Sequence, residues 1–127
     1  MTTTTAPTGE ITLHGQPAHF AGGLQKIAED TWAYLQPNGD LGESNAGFVV
    51  SGEHCLLVDT LWDVPFTRKM LDAAADAGIP WPETVFNTHS DGDHFWGNQL
   101  VAQAEIIATT TAKSLMHFDP PAEMRRM

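Results

Sequence analysis

Asn87-Thr88-His89-Ser90-Asp91-Gly92-Asp93-His94 follows directly on the apolar run Thr84-Val85-Phe86 and sets two imidazoles and two carboxylates within six positions. Four ligand-type side chains this close converge on one point when the loop curls around a cation, and Ser90 and Gly92 leave room for the turn. An apolar run ending in such a loop reads as a strand that delivers ligands beyond its carboxyl end, where open α/β sheets bind them. Along an extended backbone His89 and Asp91 point the same way, while the adjacent Asp93 and His94 point apart. The set is therefore expected to feed one ion or two neighbouring ones. Imidazole nitrogen and carboxylate oxygen suit zinc, manganese or ferrous iron, whereas an all-oxygen calcium loop has no use for histidines. The competing reading is a polar turn capping a helix, with Asp91 or Asp93 accepting backbone N–H bonds and the histidines solvated.

The flanks say what kind of fold carries this loop. Residues 24 to 35 hold two short strand-like segments split by Glu29-Asp30, a hairpin that Pro37-Asn38-Gly39-Asp40 closes. Residues 44 to 50 and 55 to 59 predict two more antiparallel strands around the turn Ser51-Gly52-Glu53-His54. Then the period changes. Val64, Phe66, Met70, Leu71, Ala74, Ala75 and Ala77 recur at helical spacing, Pro65 suits a first turn, and Gly78 with Pro80 marks the stop. After the loop, 95 to 101 predicts a short helix, 105 to 109 a strand and 110 to 117 a second helix that ends before Pro120-Pro121. Strands alternating with helices after an antiparallel start predict an α/β (α+β) domain, a mixed sheet covered by helices on one face.

Composition limits the function classes. The 127 residues suit one domain, with 1–20 expected as a flexible leader and 21–127 as the folded part. Sixteen acids against six bases give a net charge of −10, which repels phosphate backbones, so nucleic acid is not expected as a partner. No apolar run reaches membrane-spanning length, and the threonine-rich start has neither the basic residues nor the apolar stretch of a secretory signal. The lone Cys55, set among Leu56, Leu57 and Val58, fits a buried bystander in a reducing cytoplasm.

Thr88-His89-Ser90-Asp91-Gly92-Asp93-His94 resembles the H-x-H-x-D-H signature of the metallo-β-lactamase-fold hydrolase superfamily, in the variant form H-x-D-x-D-H. Leu57-Val58-Asp59-Thr60 resembles the strand-end aspartate that precedes that signature, and the likeness runs from about residue 24 to 117. It implies the N-terminal half of an αββα sandwich. It also implies His89 as a ligand of a first metal, Asp93 and His94 as ligands of a second, and Asp59 as a buried carboxylate that organises the loop. Asp93 would in addition orient the attacking water as the catalytic residue. Asp91 stands where the family usually has a second histidine. Its charge implies less preference for zinc, more tolerance of manganese or iron, and a less acidified bound water. The family completes its metal sites from a second half of the fold. His117 does not resemble the third ligand's setting, so one sheet face is expected to lie bare unless another copy or another chain packs on it.

The expected function is a metal-dependent hydrolase of ester, thioester, lactone or amide bonds, or the N-terminal portion of one, using a metal-bound hydroxide. Its cofactor is one or two divalent ions, zinc first, and its partner a small-molecule substrate. The alternative is a non-catalytic half-domain acting through self-association or a complementary C-terminal half. Among the remaining residues, His14, His19 and His54 read as surface positions and the four tryptophans as core or rim. Trp62 and Trp96, which flank the loop, are candidates to line a substrate mouth, and Gly97 reads as the point where backbone approaches the metal loop.

Overall fold

Alternation of buried and open positions builds the sheet, and its register decides where the loop lies. In the computed structural model, which describes residues 21–37 and 41–117, six strands pair in chain order. They are β1 (Gly23–Ala28), β2 (Thr31–Leu35), β3 (Ala46–Ser51), β4 (His54–Val58), β5 (Thr84–Phe86) and β6 (Glu105–Ile107). The first four are antiparallel neighbours, and β4, β5 and β6 run parallel. Both hairpins fall where turn residues predict them: Asp30 takes φ 56° in one and Gly52 φ 61° in the other. The expected leader and Pro120-Pro121 lie outside the described residues.

Across the sheet Phe48, Leu57 and Val85 occupy one register row, and all three are fully buried. Helix α1 (Val64–Asp76) covers that face. It starts because Asp63 accepts the Phe66 N–H at 2.8 Å and Pro65 presets the first turn. Its buried positions Thr67, Met70, Leu71 and Ala74 repeat at helical spacing, so one stripe meets the sheet. Gly78, at φ 83°, lets the chain reverse, and the Gly78 and Ile79 N–H groups bond back to Ala75 and Ala74. Helix α2 (Thr110–Met116) begins with the Thr109 hydroxyl accepting from Ala112.

The opposite face carries no helix among the described residues. There Ile27, Thr31, Ala33, Val49 and Val58 help line an apolar hollow of about 360 Å³. Three local expectations need correction. Residues 95–101 do not form one helix: a turn over 95–97 leads into a single 3-10 turn, Asn98–Val101. The close approach at Gly97 is to α1. A Cβ there would overlap Thr67 of α1, and its N–H bonds to Leu61 instead. Trp81, placed at core or rim by its type, is 56% exposed.

Candidate metal centre

Two parallel strands bring the site together. Val58 pairs with Phe86, so the residues that follow each strand, Asp59 and the loop from Asn87, emerge side by side at the carboxyl edge. Asp59 leaves β4 at φ 67°, with its N–H on the Phe86 carbonyl at 2.9 Å, and this left-handed step turns the carboxylate into the loop. Asp59 is buried and satisfied on three sides. Oδ1 accepts the Thr88 N–H at 2.7 Å, while Oδ2 accepts the Thr88 hydroxyl at 2.7 Å and faces His94 Nδ1 at 3.0 Å.

A carboxylate oxygen accepts, so His94 Nδ1 carries a proton, and in the neutral ring Nε2 is left bare. His94 Nε2 lies 3.5 Å from Asp93 Oδ2, and His89 Nε2 lies 3.5 Å from Asp91 Oδ2. The two rings are neighbours, with centroids 4.2 Å apart. Among the described residues, Asp59, His89 and His94 offer ligand-type atoms within 4.8 Å of one another. Asp91 and Asp93 each reach one imidazole. Asp93 and His94 do not splay apart as an extended chain would have them, because the 3-10 turn separates successive side chains by about a third of a circle.

Charge around His94 favours a cation. Its pKa is raised, chiefly by the Asp59 hydrogen bond, against the opposing effect of burial and with help from the charges of Asp93, Asp59 and Asp91. The field that draws a proton to this ring draws a metal ion to the same place. Imidazole nitrogen and carboxylate oxygen are the donors of zinc, manganese or iron sites; the described residues that converge closely enough to hold such an ion are Asp59, His89 and His94, and Asp91 and Asp93 fall outside that group.

Backbone anchors hold the loop's shape. The His94 carbonyl accepts from Thr60 N at 3.1 Å and from Asn87 Nδ2 at 3.0 Å. Fully buried Asn87 exchanges amide bonds with Asn98, which also accepts the Thr60 hydroxyl at 2.7 Å. The buried Ser44 hydroxyl donates to the Asp93 carbonyl. Sequence reasoning assigned none of these roles. Only Asn87 and Thr88, adjoining the motif, offered a signal, and Ser44 is 49 positions from its acceptor. Gly92 is needed for space, since a Cβ there would overlap the Trp96 ring. Trp96 in turn packs edge-on against Trp62, centroids 5.0 Å apart. His54 is exposed and pairs with Glu83, while Cys55 is buried, its thiol pushed up to about 11 by desolvation and then by Glu83.

The metallo-beta-lactamase superfamily model matches residues 39–126. No curated protein matches the chain. Among solved structures, it is similar to a metallo-beta-lactamase from Pseudomonas aeruginosa in a mono-zinc form, with TM-score 0.63 and 21% identity over 75% of this chain and 45% of that one. It is similar to a metallo-beta-lactamase from Hirschia baltica, with TM-score 0.64 and 21% identity over 75% and 46%. It is also similar to one from Erythrobacter litoralis holding beta-mercaptoethanol in its active site, with TM-score 0.62 and 22% identity over 75% and 44%. The chain thus spans about half the length of the solved structures it matches.

Proposed function

The chain belongs to the metallo-beta-lactamase superfamily, and from that premise we propose that it is a metal-dependent hydrolase of ester, thioester, lactone or amide bonds, or the N-terminal portion of one. The observation that carries the reading is the pair of imidazoles, centroids 4.2 Å apart, whose Nε2 atoms each lie 3.5 Å from a carboxylate. His89, Asp91, Asp93 and His94 would hold the ion, zinc first, with manganese or iron tolerated because Asp91 brings charge in place of a neutral nitrogen. One or two ions fit this donor set. A bound divalent cation supplies Lewis acidity, polarising a carbonyl and acidifying water.

The chain's own groups do the rest. Asp93, partly exposed beside His94, accepts a hydrogen bond from the attacking water and orients it. Asp59 positions the His94 ring without touching substrate. Trp62 and Trp96 give the mouth an apolar wall for a small-molecule acyl group. Nucleic acid is not a substrate of this reading, given the net charge of −10. No helix among the described residues is long and apolar enough to cross a membrane. A cytoplasmic setting is part of the proposal and rests on the lone, buried thiol.

The test is hydrolysis of chromogenic ester, thioester, lactone and β-lactam probes by zinc-loaded chain and by Asp93→Asn. Chelator-sensitive turnover that falls about a hundredfold or more in the variant is expected. Turnover indifferent to both the chelator and the variant contradicts the assignment.

A second reading, a non-catalytic half-domain, draws on the open sheet face, where Ile27 is 56% and Val49 43% exposed. Its partner would be another copy of the chain or a complementary C-terminal half. Absence of turnover on every probe favours it.

A further inference from the structure

The Thr88 hydroxyl sits between Asp59 and His89. Its Oγ1 is 2.7 Å from Asp59 Oδ2 and 2.7 Å from His89 Nδ1. A hydroxyl has one proton. The carboxylate oxygen can only accept, so that proton goes to Asp59. Toward His89 the same oxygen can then only accept, and the ring must donate from Nδ1. With His89 neutral, its remaining nitrogen, Nε2, is unprotonated and faces Asp91 at 3.5 Å.

The geometry points to Thr88 as a positioning residue that relays Asp59 to His89 and holds this imidazole in the tautomer whose Nε2 can ligate a divalent cation. One carboxylate thereby sets both rings, His94 directly at 3.0 Å and His89 through the hydroxyl. The two imidazoles need different help. His94 is mostly shielded, with 20% of its side chain exposed, and reaches Asp59 unaided. His89 is 46% exposed, and water would otherwise compete for its Nδ1 and allow the Nε2–H tautomer that free histidine prefers. The Thr88 N–H on Asp59 Oδ1 holds the relay's backbone, so the hydroxyl's placement does not depend on its own hydrogen bonds alone. This inference rests on the reading of His89 as a metal ligand, but the proton's position can be observed without metal.

The experiment uses the full chain, metal-free and labelled with nitrogen-15. Long-range proton–nitrogen correlation spectra are recorded with the imidazoles neutral for wild type, Thr88→Val and Thr88→Ser. Zinc affinity is then measured for all three by competition with a chromophoric chelator. Wild type and T88S are expected to show His89 as the Nδ1–H tautomer. T88V, which keeps the branched shape and the backbone bond, is expected to shift His89 toward Nε2–H and to bind zinc about tenfold or more weakly. A wild-type His89 in the Nε2–H form, or a T88V spectrum and affinity matching wild type, overturns the inference. If T88V does not fold, the wild-type tautomer and its retention in T88S decide. A wild type with His89 as Nδ1–H that binds no zinc overturns the metal reading and leaves the hydroxyl's control of the ring standing.

Discussion

At the scale of single residues, the site is organised by Asp59, held at φ 67° where a non-glycine residue gives up about 1–3 kcal/mol. Its hydrogen bond raises the pKa of His94 above the ordinary 6.5. A raised folded-state value means that the protonated ring favours the fold. That contribution is complete below 6.5 and is lost as pH rises through the raised value. In metal-free protein the stability advantage of wild type over His94→Gln is therefore expected to shrink across that window, read from urea midpoints. An advantage that grows with pH contradicts the hydrogen-bond assignment. Cation binding needs a bare Nε2 and should run the other way, strengthening with pH.

The motif picked out His89, Asp91, Asp93 and His94 as candidate ligands, and the family resemblance of Leu57-Val58-Asp59-Thr60 implied an organising role for Asp59. Ser44, Thr60 and Asn98 stayed invisible. Each is a small polar residue whose meaning lies in a partner it meets only after folding, 49 positions away for Ser44 and 38 for the Thr60–Asn98 pair.

At the scale of elements, the piece that holds the loop against the helix layer is the passage through Gly97. Thr67 is fully buried and its hydroxyl accepts from Leu61 N at 3.1 Å, while the Gly97 backbone lies against it with no room for a Cβ. Gly97→Ala must push the Asn98–Val101 turn away from α1 or displace Thr67 from Leu61. A loss of about 1–3 kcal/mol in chemical denaturation is expected, with weaker cation binding as the Asn98 anchors move. Wild-type stability in this variant contradicts the packing argument.

The hairpins, α1 and β5 were legible because turn residues and apolar period agreed on them. The passage 95–101 was not. Apolar residues there suggested a helix, but Gly97 is committed to a close approach that neither period nor composition reports, and the chain turns over 95–97 before the short 3-10 turn Asn98–Val101. β6 was recognised by its apolar Ile106 and Ile107 yet runs only from Glu105 to Ile107, because Thr109 is taken by the cap of α2.

At the scale of the molecule, one face of the sheet is covered by α1 and the other is open and apolar among the described residues, with Ile27, Val49 and Ile107 each at least 40% exposed. Apolar surface of this kind is costly to leave in water. Self-association is expected, seen in sedimentation equilibrium as an average mass rising with concentration above the 13.8 kDa monomer. Val49→Glu should return it to monomer without changing cation affinity. A wild type that stays monomeric at every concentration contradicts self-pairing through this face. The bare face was foreseeable from the family resemblance, whereas the shape of its hollow depends on register that no residue pattern reports.

The proposed chemistry requires His89 and His94 to hold a divalent ion jointly at the carboxyl edge of β4 and β5. Titration of metal-free chain with cobalt(II), followed by visible absorption and equilibrium dialysis, tests this most directly. Saturable binding of one or two ions per chain with ligand-field bands, abolished in the double variant His89→Ala/His94→Ala, is the expected result. Cobalt taken up equally by wild type and the double variant, or by neither while wild type is folded, contradicts it.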